Sequence, residues 1–225
     1  MSRPEIFDDA IARGDYPPDF EQPEPARRFV LEVLVPRAGA MGPALRILEC
    51  GCGNGGWLAL LAETLPGAQG HRFHGFDISA GMVALARQRL RPIVPSARVH
   101  VGDVLEAGSY VFDETDDRYD LIFAYDVVQQ VPRSRQAAAC EAMISRLSSR
   151  GTLVIFDQDR LSLHGVRMGF MKFVTRFTGL PLVPRYFCAA RYPSLGSLKR
   201  KMVALGRNVE IRRSTSSRKL ALVVR

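Results

Sequence analysis

Residues 46–56, RILECGCGNGG, constrain the fold of this chain more than any other stretch. The first five residues form a short apolar run of the kind carried by buried parallel strands. Glycines then alternate at Gly51, Gly53 and Gly55, and residues 57–65 predict a helix. This order is typical of nucleotide sites, because glycines let the backbone approach a ligand closely and the helix start offers unpaired N–H groups.

The spacing of this turn differs from that of a dinucleotide loop, which reads G-x-G-x-x-G. Glu49 precedes the first glycine by two residues, and a carboxylate there suits a cationic or amine-bearing ligand better than a diphosphate. The segment LECGCGNG, residues 48–55, resembles the first motif of the class I S-adenosylmethionine-dependent methyltransferases. That resemblance implies that Glu49 lies near the amino acid end of the cofactor. It also implies that Gly51, Cys52 and Gly53 run beneath its ribose and methionine parts.

Length and composition fit one globular domain. A chain of 225 residues with 47% hydrophobic and 24% charged residues can bury a core by itself. The N-terminal sequence has no apolar signal core, and no apolar run reaches the roughly 18 residues of a membrane span, so the sequence predicts a cytoplasmic protein. Cys50 and Cys52 form a single C-x-C pair, which favours reduced core thiols over a zinc site or a disulfide framework. No metal is predicted.

Charge is divided unevenly along the chain. Residues 160–225 contain fifteen Lys or Arg and one acidic residue, Glu210, for a net charge of +14. Residues 1–159 carry a net charge of −6, which leaves +8 for the whole chain. The basic end indicates an anionic partner, and a solvated basic surface is the alternative reading.

A second carboxylate stands at the end of the second predicted strand, residues 71–77. Asp77 lies 22 residues after Gly55, about where doubly wound folds place an acid that accepts hydrogen bonds from ribose hydroxyls. Ser79 is a suitable cap for the next helix, residues 81–91. Asp77 followed by Ile78 and Ser79 resembles the same family, which implies that Asp77 and Ile78 border the cofactor.

A third carboxylate follows the third predicted strand, residues 98–101. In the resembling family the acidic residue of a similar Gly-Asp pair binds the adenine amino group, and a neighbouring N–H reads a ring nitrogen. This implies an adenine-binding role for Asp103 and Val104, with an ordinary turn aspartate as the alternative.

The fourth predicted strand, residues 119–126, places Tyr125 at the edge where ligands bind in such sheets. Tyr125 is therefore a candidate for cofactor contact and for catalysis. The following segment, DVVQQVP, resembles the post-strand segment of small-molecule methyltransferases, which often carries a histidine where this chain has Gln129 and Gln130. Glutamine cannot act as a base near neutral pH, so this segment does not predict a histidine-based deprotonation, and Gln130 is a candidate catalytic residue that does not act as the base.

Residues 161–182 depart from the minimal fold and predict a basic amphipathic helix. Two readings remain open: a roof over an apolar pocket, which the two methionines Met168 and Met171 favour, and a helix lying on an anionic membrane surface. His164 is the histidine nearest the predicted mouth and a candidate base. As a roof, the helix implies a hydrophobic or aromatic substrate that is anionic or is delivered on an acidic carrier protein or a lipid.

Together these features predict an α/β fold: a doubly wound, seven-stranded, mostly parallel sheet with an antiparallel C-terminal hairpin, the Rossmann-like methyltransferase fold. Residues 1–44 are expected to form a helical cap with Phe7, Tyr16 and Phe20 as lid aromatics, and residues 45–225 the methyltransferase domain with a substrate roof at about 161–193.

The implied activity is S-adenosylmethionine-dependent methylation, at oxygen or nitrogen, of a small-molecule acceptor. One alternative is an RNA or ribosome-associated methyltransferase. Neither a separate RNA-binding module nor an aromatic stacking platform is visible in the sequence, so nucleic acid is the less favoured partner. A homologue that binds the cofactor without methylating is the other alternative. The sequence predicts no oligomeric state.

Overall fold

The chain folds into a seven-stranded sheet covered by helices on both faces. A computed structural model describes residues 4–14, 21–112, 118–180, 182, 189–215 and 217–225. The helices are α1 Pro4–Ala12, α2 Glu24–Met41, α3 Gly56–Thr64, α4 Ala80–Leu90, α5 Gln136–Ser145, α6 Leu163–Thr178 and α7 Leu195–Ala204. The strands are β1 Arg46–Cys50, β2 Arg72–Asp77, β3 Arg98–Val101, β4 Tyr119–Tyr125, β5 Leu147–Asp157, β6 Val209–Arg213 and β7 Leu220–Val224.

The strand order is β3-β2-β1-β4-β5-β7-β6. Strands β1 to β5 pair in parallel, and β7 pairs antiparallel with both β5 and β6. The predicted doubly wound sheet with a closing antiparallel hairpin is therefore confirmed. The carboxyl ends of β1, β2 and β4 meet at one edge, where ligands bind in open α/β sheets.

The sheet separates two apolar layers, and alternate residues of β5 enter opposite layers. Val154 and Phe156 pack with α2, α3 and α4, whereas Leu153 and Ile155 pack with α5 and α7. Burial on both faces explains why the central strands read as continuous apolar runs in the sequence.

Two element boundaries differ from the sequence prediction. The sequence predicts a fifth strand over residues 152–156, but β5 begins at Leu147, because Leu147 already pairs with Tyr119 across the sheet. The sequence also predicts a helix over residues 133–147, but a separate turn at 133–135 precedes α5, which is therefore shorter.

The N-terminal segment contains two helices with different positions. α2 places its apolar side on the sheet, where the Phe29 ring meets Phe156 edge-on at 5.7 Å between centroids. α1 packs on α4, and Asp8 accepts a hydrogen bond from the Gly81 N–H at 3.2 Å. Only α1 thus occupies the position expected of a cap, and the domain boundary at residue 44 stays a prediction. Tyr16 and Phe20 lie outside the described residues.

Candidate active site

The glycine turn after β1 brings bare backbone to the carboxyl edge of the sheet. Gly51 and Gly55 have φ values of 68° and 75°, which strain any residue with a side chain. A Cβ at Gly51 would come within 2.4 Å of the Val127 side chain, and one at Gly55 within 3.1 Å of the α4 backbone at Ala86. A Cβ at Gly53 would meet no atom of the described chain within 4 Å, and Gly53 lines a cavity. The turn is therefore closely packed at Gly51 and Gly55, and it is open to a ligand at Gly53.

Asp77 ties the end of β2 to this turn. The Gly53 N–H donates to Oδ2 of Asp77 at 2.9 Å, and the Ser79 N–H donates to Oδ1 at 3.0 Å. Burial raises the pKa of Asp77, and these two N–H groups partly offset the rise because they favour the charged carboxylate. Each carboxylate oxygen has a second lone pair. Asp77 can therefore fix the turn and still accept a hydrogen bond from a ligand.

Asp103 and Val104 form a rigid turn after β3. The Asp103 N–H donates to Oγ of Ser109 at 2.9 Å, and Oδ1 of Asp103 accepts from the Leu105 N–H at 2.9 Å. The Tyr110 hydroxyl donates to the Val104 carbonyl at 2.7 Å. These bonds hold the Asp103 carboxylate and the Val104 backbone beside the cavity that both residues line.

Glu49 lies within the core behind the glycine turn. Its side chain is fully buried, and among the described residues neither carboxylate oxygen has a hydrogen-bond partner. Burial raises the pKa of Glu49 well above its usual value, and the negative charge of Asp77 raises it further. A buried carboxyl in this state is stabilised by a nearby positive charge, which is what an amine-bearing or sulfonium ligand would bring. The residues present therefore fit the cofactor that the motif implies.

A cavity of about 380 Å³ opens at this edge of the sheet. The structure brings nine of the predicted site residues to its wall: Gly51, Cys52, Gly53, Asp77, Ile78, Asp103, Val104, Tyr125 and Gln130. Glu49 and His164 are not part of the wall. Phe7, the described member of the three expected lid aromatics, lines the cavity as well.

The wall of the cavity also contains aromatic rings and an arginine. The rings of Trp57 and Tyr125 lie 4.5 Å apart between centroids at 43°. Arg191 lines the same cavity. Its backbone is held in place, because the Arg191 N–H donates to the Gln129 carbonyl at 2.5 Å and the Gln136 side chain donates to the Arg191 carbonyl at 2.7 Å.

Two carboxylates and a lysine form a charged cluster where β4 and β5 end. Asp126 lines the cavity at a φ of 62° and forms an ion pair with Lys219. Asp157 is fully buried and accepts from the N–H groups of Gln129 at 2.9 Å and Gln158 at 2.7 Å. Burial and the charge of Asp126 raise the pKa of Asp157 to about 8, although Lys219 opposes them.

The structure places α6 differently from the expected roof. No described residue of α6 lines the cavity; Ala189 and Arg191, at the end of the expected roof segment, do. His164 lies near the start of α6, and partial burial with the positive charges of Arg218 and Arg167 lowers its pKa. The reason for the difference is that the apolar side of α6 faces away from the domain, so the helix does not close the pocket.

The described cysteines form no disulfide, and one of them, Cys52, lines the cavity. Cys50, Cys52 and Cys140 are buried free thiols, and Cys188 lies outside the described residues. Within the part of the chain that the structure describes, no group of three or more His, Cys, Asp or Glu side chains could hold a metal ion. No helix there is long and apolar enough to span a bilayer.

Sequence reasoning missed Arg191, Lys219 and Trp57 as residues of this site. Arg191 and Lys219 lie in the basic C-terminal region, far along the chain from the motifs they join; Lys219 pairs with Asp126, 93 residues away. The uneven charge was a signal of an anionic partner, but it could not single out either residue. Trp57 was placed only as the start of a helix, although a large ring directly after a glycine turn could have marked it.

Known proteins resemble this chain in sequence and in fold. Residues 47–151 match the family described as methyltransferase domain. Trans-aconitate 2-methyltransferase of Variovorax paradoxus is 31% identical over 135 residues, which cover 60% of this chain and 44% of that protein. Phosphoethanolamine N-methyltransferase 2 of Caenorhabditis elegans is 29% identical over 100 residues, 44% of this chain and 21% of that protein. The chain thus spans less than half the length of the curated relatives it matches.

The fold is also that of a solved methyltransferase. Magnesium protoporphyrin IX methyltransferase from Synechocystis, solved with bound S-adenosylmethionine, aligns with a TM-score of 0.65 at 14% identity, over 100% of this chain and 96% of that one. The family match, the strand order and the glycine turn with its two downstream carboxylates agree with one another. Residues 47–151 of this chain therefore match a methyltransferase domain, and the strand order is that of the Rossmann-like methyltransferase fold.

Proposed function

We propose that the protein transfers a methyl group from S-adenosylmethionine to an oxygen or nitrogen atom of a small apolar or aromatic acceptor that carries an anionic group. One observation carries this proposal: a single cavity is bordered by the glycine turn, by Asp77 and Asp103, by the aromatic pair of Trp57 and Tyr125, and by Arg191. The two curated relatives are named for small acceptors, trans-aconitate and phosphoethanolamine, which supports an acceptor of the small-molecule class.

At the cofactor side, the described residues offer hydrogen-bond acceptors to the hydrogen-bond donors of a nucleoside. Asp77 accepts from ribose hydroxyls, Asp103 accepts from the adenine amino group, and the Val104 N–H faces a ring nitrogen. The buried carboxyl of Glu49 stabilises the positive charge of the amino acid end of the cofactor. Charges interact more strongly in the low-dielectric core than in water. When bound, S-adenosylmethionine supplies an electrophilic methyl group on a positively charged sulfur.

At the acceptor side, the residues position a nucleophile and exclude water. Trp57 and Tyr125 provide an apolar wall, and Gln130 donates or accepts a hydrogen bond at the acceptor's polar atom. Asp126 is the carboxylate on this side, and it accepts a hydrogen bond from the O–H or N–H that is to be methylated. Holding the nucleophile in line within a dry site accounts for most of the acceleration expected of such transfers.

Arg191 binds the anionic group of the acceptor. A guanidinium pairs with a carboxylate or phosphate through two parallel hydrogen bonds. The backbone of Arg191 is fixed by Gln129 and Gln136, so the side chain starts from a defined position at the cavity. This preorganisation lowers the entropy that is lost when the acceptor binds.

Release of S-adenosylhomocysteine with matched acceptors tests the proposal. Hydroxyaromatic carboxylates of increasing apolar size are compared with their neutral amides. Arg191→Gln is expected to raise KM for the carboxylates about tenfold or more, because a charge-assisted pair is lost. KM for the amides is expected to stay unchanged.

Arg200→Gln is the matched control, because Arg200 is exposed on α7 and does not line the cavity. An equal rise of KM for carboxylates and amides would contradict the role of Arg191. Transfer to RNA fragments with no transfer to any small acceptor would replace this proposal with a nucleic-acid substrate.

A further inference from the structure

The apolar side of α6 is turned away from the protein. Val166, Phe170, Phe173 and Phe177 follow one another at spacings of four, three and four residues, which places them on one side of a helix. Their exposed fractions are 59%, 67%, 57% and 75%. Leu163, at the first position of α6, is 90% exposed and continues the row. In an ordinary surface helix, this side would face the core.

Contacts on the opposite side of α6 fix this orientation. A Cβ at Gly165 would lie 2.2 Å from the Asp159 carbonyl oxygen, so only glycine lets the first turn approach the preceding loop. Further along, Nζ of Lys172 donates to the Ala190 carbonyl at 2.9 Å and lies 4.1 Å from the centroid of the Tyr192 ring. The side of α6 that carries Gly165 and Lys172 is therefore attached to the domain, and the row of phenylalanines is left outward.

The exposed area is larger than that of scattered surface residues. An aromatic side chain presents about 150–250 Å², so the three phenylalanines at 57–75% exposure leave on the order of 400 Å² in one row. Contiguous patches of this size on soluble proteins usually mark an interaction site.

Positive charge borders the row on both sides. At about 100° per residue, Arg167 and Arg176 project roughly 80–100° from the centre of the apolar row, one on each side. Both are exposed. The sequence has no acidic residue from 160 to 209, so neither α6 nor the chain that follows it to Asn208 carries a negative side chain.

We propose that α6 lies flat on an anionic lipid surface, with its phenylalanines among the acyl chains and its arginines at the headgroups. An apolar row running along a helix of about 24 Å, with cations on both flanks, is the arrangement that interfacial helices use. The long arginine side chains can reach headgroup phosphates while their stems stay apolar.

A second copy of the chain fits this surface less well. Pairing two α6 helices would bring four arginines together, with no acidic residue on either helix to compensate them. An acidic carrier protein would match the charge, but a continuous apolar row flanked by cations suits a planar surface better than a polar-rimmed protein contact. The membrane proposal does not depend on the proposed methyl transfer.

Co-sedimentation of the full chain with vesicles tests this proposal. The wild type is expected to bind vesicles of equal parts phosphatidylcholine and phosphatidylglycerol at least about tenfold more strongly than vesicles of phosphatidylcholine alone. Phe170→Ser combined with Phe177→Ser is expected to weaken binding to the anionic vesicles about tenfold or more. Arg167→Gln combined with Arg176→Gln is expected to remove most of the preference for anionic lipid.

Val203→Ser combined with Arg200→Gln makes the same kinds of change on the exposed side of α7 and is expected to leave vesicle binding unchanged. Thermal unfolding of each variant shows whether the fold is retained. Phe173→Trp offers a second readout, because quenching of its fluorescence by brominated lipids reports insertion, while the natural Trp57 is buried.

Equal binding by wild type and both α6 variants, or binding to neither type of vesicle, would overturn the proposal. It would also be overturned if the chain formed a dimer that the phenylalanine variant dissolves, or bound an acidic carrier protein, while vesicles failed to bind.

Discussion

Helices α2 and α6 both carry an apolar row along one side, and only α2 buries it. In α2, Phe29, Val30, Val33 and Leu34 are at most 3% exposed. In α6, Val166, Phe170, Phe173 and Phe177 are 57–75% exposed. The sequence periodicity of the two helices is of the same kind, so the difference comes from where each helix is attached to the sheet.

Long-range contacts determine that attachment. α2 is anchored by Arg37, whose guanidinium donates to Glu210 of β6 at 2.6 Å and to the Val33 carbonyl at 2.5 Å. α6 is anchored by Gly165 and Lys172, which both lie on the side opposite its phenylalanines. Periodicity therefore identifies an amphipathic helix, but the contacts of a few residues decide which side is buried.

The largest difference between the two helices should appear in stability. Phe29→Ala removes a buried ring that packs on Phe156, and the free energy of unfolding is expected to fall by about 3–5 kcal/mol. Phe173→Ala is expected to change it by no more than about 0.5 kcal/mol, because the ring is exposed. Denaturant unfolding of both variants measures the difference. A comparable loss of unfolding free energy in both variants would show that the apolar row of α6 is buried too, and the difference between α2 and α6 would not hold.

A smaller difference is expected for the arginines of the two helices. Arg37→Gln removes buried hydrogen bonds of a charged group, and the free energy of unfolding should fall by about 1–3 kcal/mol. Arg176→Gln, on the exposed last turn of α6, should leave it within about 0.5 kcal/mol. Equilibrium unfolding in denaturant again gives both values. If Arg37→Gln left the free energy of unfolding unchanged, α2 would be held on the sheet by its apolar side alone.

The smallest effect concerns how the ion pair between Arg37 of α2 and Glu210 of β6 makes stability depend on pH. Burial by itself raises the pKa of Glu210, but the hydrogen bond and charge of Arg212 and the charge of Arg37 outweigh it and lower the pKa below its usual value. A carboxylate with a lowered pKa in the folded state stabilises the fold above its unfolded pKa of about 4.3. That contribution is lost as the pH falls through the folded pKa.

Wild type is therefore expected to be more stable than Glu210→Gln at neutral pH, by less than about 1 kcal/mol because solvent screens the partly exposed Glu210. The difference should vanish in acid, and unfolding curves of both proteins across an acid pH series measure it. Glu141→Gln, at an exposed carboxylate on α5, is the control and should show no such difference. A difference in the free energy of unfolding that grows as the pH falls would contradict the lowered pKa of Glu210.

Local signals in the sequence predicted much of the fold and the cofactor side. The apolar run before Gly51 and the glycine spacing place a strand and a turn without knowledge of the rest of the chain. Asp77 and Asp103 each follow a predicted strand, and the carboxyl ends of parallel strands share one edge, so their approach to one cavity was foreseeable.

Features built by distant residues were not foreseeable. The ion pair of Asp126 with Lys219 joins positions 93 residues apart. Asp126 ends the fourth predicted strand, but nothing local marks Lys219 as its partner. Arg191 reaches the cavity because Gln129 and Gln136 bind its backbone, a contact between separate segments. The roof expected at about 161–193 stays a prediction: no described residue of α6 lines the cavity, whereas Ala189 and Arg191 do. The pattern of residues 161–182 describes the helix but not which side the domain covers.

Calorimetric titration with S-adenosylmethionine tests the central claim, that the glycine turn and its two downstream carboxylates form the cofactor site. The purified protein is expected to bind the compound saturably at one site. Asp77→Ala should weaken that binding about tenfold or more, whereas Glu106→Gln, an exposed carboxylate close to Asp103 in sequence, should not. Absence of saturable binding at millimolar concentration, or an unchanged affinity in Asp77→Ala, would contradict the account.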